Sequence, residues 1–183
     1  MTRILALSGS LRAGSFNTAL ARAAQAHAPD GVTVDVATLH GIPLYDADDE
    51  KADGIPPAVE ALREKILACD GLLLVTPEYN NGMPGVFKNG IDWLSRTGRD
   101  VFANRPVALV GASPSGFGTL LSQNHWLPVL KTLGVQTWSG GRLMVSRANT
   151  LMDAEGELAD AATIKLLAEF VDGFAQFVAE QGK

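Results

Sequence analysis

The sequence predicts a three-layer α/β domain: a five-stranded, mostly parallel sheet in the order 2-1-3-4-5, with helices on both faces. Three observations lead there. Strand-like and helix-like segments alternate along the whole chain. The run Gly71-Leu72-Leu73-Leu74-Val75-Thr76 is almost wholly apolar, as a central parallel strand covered on both faces must be. The length of 183 residues and the 46% hydrophobic content suit one domain, 1–183, with a substantial core.

The elements follow in order. Residues 3–7 form a short apolar strand that leads into a Gly/Ser-rich loop. Residues 15–28 read as a helix with Phe16, Leu20 and Ala23 or Ala24 on one face. The alternation Val32-Thr33-Val34-Asp35-Val36 marks the second strand. Residues 41–54, rich in Pro, Gly and Asp, read as a loop. Pro56-Pro57 then opens a helix whose Val59, Leu62, Ile66 and Cys69 keep helical spacing. After the third strand (71–76), the polar loop 77–83 leads into a helix over 84–95. Residues 106–110 are the fourth strand, 111–118 its loop, and the next helix reaches Leu133. A fifth strand over 135–138 continues through 143–145. The closing helix spans 157–180, with Leu167, Phe170, Val171, Phe174, Phe177 and Val178 as its apolar stripe.

Charge and composition exclude several classes of function. The net charge of -5 offers no basic surface for nucleic-acid phosphates, and it disfavours anionic membranes. The longest apolar runs, 72–75 and 107–110, fall far short of the roughly 20 residues that span a bilayer. The first apolar stretch is too short for a signal peptide, and Cys69 as the lone cysteine suits a reducing cytoplasm. His27, His40 and His125 lack metal-ligand spacing and read as solvated or packed side chains. The acidic run Asp46, Asp48, Glu50, Asp53 resembles a calcium loop, but Lys51 and Pro57 stand where Gly and Glu are needed. Gly111-Ala112-Ser113-Pro114-Ser115 breaks the serine-hydrolase pattern at its last position.

In a sheet of this order, ligands sit beyond the carboxyl ends of the strands where strand order reverses. Three Gly-rich polar loops converge there: 8–15, 77–83 and 111–118. The first ends at a helix N-terminus, where free backbone N–H groups and the helix dipole favour an anion. The hydroxyls of Ser10 and Ser15 and the amide of Asn17 add neutral donors, and Arg12 supplies charge for a phosphate dianion. Neither a P-loop nor a dinucleotide fingerprint fits: Gly14 is followed by Ser15-Phe16, and Gly9 by Ser10-Leu11.

The second loop carries the longest motif. Thr76-Pro77-Glu78-Tyr79-Asn80, then Pro84-Gly85, Lys88-Asn89 and Ile91-Asp92-Trp93, resembles the signature of the NADPH-dependent FMN reductase family. That family includes bacterial quinone and chromate reductases. Gly9-Ser10-Leu11-Arg12 with Ser15 and Asn17 is similar to its first-loop motif, and Pro43-Leu44-Tyr45-Asp46 to another of its loops. The resemblance covers nearly the whole chain and implies a flavodoxin-like fold.

It implies that Ser10, Arg12, Ser15 and Asn17, with Phe16 among them, hold the phosphate of FMN. Pro77, Glu78, Tyr79 and Asn80 would line the isoalloxazine, mainly through backbone donors, with Tyr79 as a wall of a flat slot. Ser113, Ser115, Gly116 and Gly118 would meet the pyrimidine edge or ribityl chain. Glu78 reads as a loop-fixing carboxylate rather than a base, and Lys88, Asn89, Asp92 and Trp93 as structural or interfacial residues. The family's usual Arg after the third loop is absent, and Phe117 stands ready to narrow the open face of the flavin.

The implied activity is hydride transfer from NADPH or NADH to FMN and on to a quinone, a free flavin or an oxidised metal ion. No side chain is an obvious proton donor, and no catalytic base is assigned. A homodimer or homotetramer is expected by the same resemblance. Two other readings stay open: a flavodoxin-type electron carrier, against which Arg12 and the 77–80 loop count, and a non-enzymatic flavin sensor.

Overall fold

The computed structural model describes residues 1–181. β1 (Thr2–Ser8), β2 (Val32–Ala37), β3 (Gly71–Val75) and β4 (Pro106–Ala112) are joined by α1 (Phe16–Ala26), α3 (Pro57–Leu67) and α4 (Gly85–Ser95). With β5 (Gln136–Thr137), the sheet runs β2-β1-β3-β4-β5, and every pairing in it is parallel. The expected three-layer architecture and strand order are therefore present.

Strand alternation divides the core between the two faces. Ile4, Ala6, Leu73, Val75, Ala108 and Val110 pack under α1 and α6 (Ala161–Gln181). Leu5, Leu7, Leu72, Leu74 and Val107 face α3, α4 and α5 (Leu120–Leu133), where Phe87, Trp93 and Trp126 are fully buried. All five residues of β3 are buried, which accounts for its continuous apolar run. Among the described residues, no helix is long and apolar enough to cross a membrane.

Three segments differ from the expectation. The stretch 41–54 is not all loop: α2 (Ala47–Asp53) lies within it, and Asp46 caps it by accepting from the Asp48 N–H at 2.8 Å. This helix buries no residue, so it carries no apolar stripe for periodicity to detect. Asp48, Asp49 and Glu50 fill its first turn, where the helix dipole favours negative charge.

The fifth strand is broken into β5 (Gln136–Thr137) and β6 (Leu143–Val145), which pair with opposite ends of β4. Between them Trp138 packs on Phe170 and Phe174, at 4.9 and 5.8 Å between ring centroids. A side chain at Gly140 or Gly141 would strike the indole, at 2.6 and 2.7 Å. The half-buried indole and the two glycines it crowds fill the gap between β5 and β6.

The closing helix starts at Ala161 rather than 157. Asp160 accepts from both the N–H and the hydroxyl of Thr163, and these bonds hold its carboxyl below the usual carboxylate range. The residues before it serve other contacts: Glu157 pairs with Arg22, and Leu158 bridges Met152.

Candidate functional site

The first loop leaves β1 at Ser8, whose hydroxyl lies 2.8 Å from that of Thr18. Gly9 follows because Phe87 fills the space beside it; an added Cβ would lie 2.1 Å from the ring. Ser10, Ser15 and Asn17 are each less than 5% exposed. Ser10 Oγ accepts from the Arg12 N–H at 3.3 Å, and Ser15 Oγ caps α1 by accepting from the Thr18 N–H at 3.3 Å. Each hydroxyl thus serves the chain as an acceptor and keeps its proton for another partner.

The N–H groups of Ser15, Phe16 and Asn17 find no acceptor among the described residues. Arg12 forms no ion pair among them either, and its guanidinium lies 5.0 Å from the centroid of the Phe16 ring. The Asn17 side chain is engaged elsewhere: its Nδ2 donates to the Ala112 carbonyl at 2.8 Å and its Oδ1 accepts from the Ala112 N–H at 2.9 Å. Asn17 therefore ties the start of α1 to the end of β4.

The second loop is closed on itself. Tyr79 and Gly82 exchange two backbone bonds, of 3.1 and 2.9 Å, across Asn80 and Asn81. Both asparagines have positive φ, 50° and 61°, as a two-residue hairpin turn requires. Below the turn, Thr76 Oγ1 donates to the Pro77 carbonyl, accepts from the Trp126 indole N–H and lies 2.9 Å from Ser122 Oγ. α5 has no capping side chain of its own. Glu78 supplies one: a single carboxylate oxygen accepts from the N–H groups of Leu121 and Ser122 at 2.8 and 3.0 Å. The expected loop-fixing role of Glu78 has this physical basis.

In the third loop the Ser113 hydroxyl donates to Ser115 Oγ, and the Ser115 hydroxyl donates to the Gly118 carbonyl. The Ser113 N–H and carbonyl are bound to Val145 and Ala148. Phe117 is 80% exposed.

The three loops enclose a cavity of about 300 Å³ at the carboxyl edge of the sheet. Ser10, Arg12, Ser15, Phe16, Asn17, Pro77, Glu78, Tyr79 and Ser113 line it. Asn80 sits at the tip of the hairpin, and Ser115 and Gly116 lie further along the third loop; these three do not line it. Ala112 and Pro114 do, and sequence reasoning missed both. Pro114 carries no polar signal, and Ala112 contributes only because β4 ends beneath the cavity.

Of the backbone donors expected in 77–80, that of Tyr79 is closed on Gly82, while those of Glu78 and Asn80 have no acceptor among the described residues. The Arg12 guanidinium without an ion pair among the described residues, the free donors of the first loop, and the apolar surfaces of Pro77, Tyr79, Phe16 and Pro114 make a donor-rich cradle beside an apolar slot. That donor set suits a phosphate joined to a planar ring.

Comparison with known proteins gives concordant results. The model of the NADPH-dependent FMN reductase family matches residues 2–150. An NAD(P)H-dependent FMN reductase of Pseudomonas aeruginosa is 44% identical over 165 residues, 90% of this chain and 89% of that protein. A quinone reductase of Escherichia coli K12 is 36% identical over 178 residues, covering 96% and 95%. Among solved structures, the flavoenzyme NAD(P)H:(acceptor) oxidoreductase FerB of Paracoccus denitrificans superposes with a TM-score of 0.81 at 30% identity, over 99% of both chains.

Proposed function

Because the chain belongs to the NADPH-dependent FMN reductase family, we propose that it binds FMN between its three loops and carries electrons from NAD(P)H to a small acceptor of the quinone class. The observation that carries this reading is the first loop: free N–H groups at a helix N-terminus, two hydroxyl protons and an unpaired Arg12 face one cavity.

FMN, when bound, supplies the hydride acceptor and donor that no side chain can provide. The work of the chain is binding and orientation. Arg12, Ser10 and Ser15 hold the phosphate, with the backbone of Phe16 and Asn17 completing the cradle. Asn17 fixes this cradle to β4 through Ala112. Glu78 locks the second loop to α5, so Pro77 and Tyr79 form a wall whose position is set before any ligand arrives. The Glu78 N–H, which has no acceptor among the described residues, would offer a donor to a ring lying against that wall. Ser113 closes the third side.

The same reading makes the active species a homodimer or homotetramer. Leu44, Tyr79, Phe117, Leu120, Leu121 and Leu127 are exposed apolar side chains, the kind an interface between copies would cover. The lone, buried Cys69 supports a reducing, cytoplasmic setting.

The test is an anaerobic absorbance titration of FMN-loaded protein with NADPH and then NADH. Near-stoichiometric bleaching of the flavin band, reversed by added quinone, is the expected result. A bound flavin that neither nucleotide reduces would replace the reductase with an electron carrier or sensor.

A further inference from the structure

We propose that His40 is a positioning residue for the phosphate end of the cavity, an inference that rests on the FMN reading above. His40 does not line the cavity. It follows β2, whose register with β1 places Ala37 beside Leu7 and so brings 38–40 alongside the first loop. Leu39, fully buried against Gly90 of α4, anchors the backbone next to it.

The ring makes two polar contacts. Nε2 lies 3.2 Å from the Leu11 carbonyl oxygen, and Nδ1 lies 2.9 Å from Thr38 Oγ1. A carbonyl oxygen can only accept, so the proton sits on Nε2, and in the neutral ring the Thr38 hydroxyl donates to Nδ1. The Leu11 carbonyl thus selects the tautomer, and the Thr38 hydroxyl, able to donate or accept, complements it.

What His40 grips is the Leu11–Arg12 peptide unit, and the other end of that unit is also held. The Arg12 N–H donates to Ser10 Oγ. With the carbonyl on His40 and the N–H on Ser10, the peptide plane cannot rotate without breaking a bond at one end. Two groups of the cradle depend on that plane. Arg12 extends its guanidinium from it, and Ser10, engaged as an acceptor, has its hydroxyl proton aimed at a partner other than the loop. Freed from His40, the peptide can turn, and both lose their aim at a phosphate while the ring-binding walls stay in place.

The experiment compares FMN with riboflavin, which lacks only the phosphate, by quenching of flavin fluorescence in wild-type protein, His40→Ala and His40→Gln. In His40→Ala the FMN dissociation constant should rise about threefold to tenfold, while that for riboflavin stays within about twofold. In His40→Gln the amide nitrogen reaches close to the Nε2 position, and FMN affinity should return to within about twofold of wild type. Unchanged FMN affinity in His40→Ala overturns the proposal, as does equal weakening of both flavins or failure of His40→Gln to restore binding. Wild-type protein that does not distinguish FMN from riboflavin takes down the phosphate cradle itself, and the role of His40 with it.

Discussion

The first and second loops meet at one cavity, yet they treat their polar groups in opposite ways. In the second loop the groups that fix its shape have internal partners, Tyr79 with Gly82, the Glu78 carboxylate with α5 and Thr76 with Trp126, and among the described residues backbone N–H groups such as those of Glu78 and Asn80 are left over. In the first loop the N–H groups of 15–17, the hydroxyl protons of Ser10 and Ser15 and the charge of Arg12 are left over. Unmet donors gathered in a partly buried place have a cost, which an arriving anion removes. The second loop is a wall built in advance, and the first is half of an interaction whose other half is the ligand.

The largest effect expected from this contrast is on binding. Arg12→Ala should weaken FMN affinity by about 1.5–3 kcal/mol, the range for a hydrogen bond to a charged group. The same change should lower the stability of the flavin-free protein by no more than about 1 kcal/mol, because Arg12 has no ion pair among the described residues and loses only its approach to the Phe16 ring. Flavin titration and urea unfolding together check it, and a stability loss matching the binding loss would break the contrast.

Glu78→Ala should behave in the reverse order. Removing the cap of α5 should lower the stability of the flavin-free protein by about 0.5–2 kcal/mol, measured by urea unfolding. Riboflavin and FMN should then lose affinity alike, since the wall serves the ring. Selective loss of FMN would place Glu78 among the phosphate-facing groups.

The smallest effect belongs to Glu50, another satisfied group, on α2. The hydrogen bond from Tyr45, and then Arg96, holds its carboxyl below the usual carboxylate range. A carboxyl lowered in the folded state contributes stability that is complete above its unfolded value and is lost as pH falls through the folded one. The melting temperature of Glu50→Gln should therefore lie slightly below wild type at neutral pH, and the gap should close in acid. A gap independent of pH would mean that charge is not what Glu50 contributes.

Much of the site was legible because its motifs are local. Ser10, Arg12, Ser15, Phe16, Pro77, Glu78 and Tyr79 come from two short segments at strand ends, and they meet at the cavity. Ser113 does as well. Asn80 of the second loop and Ser115 and Gly116 of the third do not line it: the lining stops at Tyr79, where the two-residue turn begins, and at Pro114. α2 escaped detection for another reason: its stability comes from a cap and from Glu50 contacts with Arg96 and Tyr45, which leave no periodic trace.

The sequence by itself determined the alternation of elements, the order and burial of the central strands and the family, since apolar periodicity and contiguous motifs are properties of nearby residues. Tertiary structure alone decided which donors remain free. Asn17 is consumed by Ala112, 95 residues away, and Glu78 by the start of α5, 43 and 44 residues away. It also split the last strand where Trp138 packs on Phe170 and set His40 beside Leu11. A hydrogen bond is settled by whichever partner the fold brings within about 3 Å, and residue type alone does not name that partner.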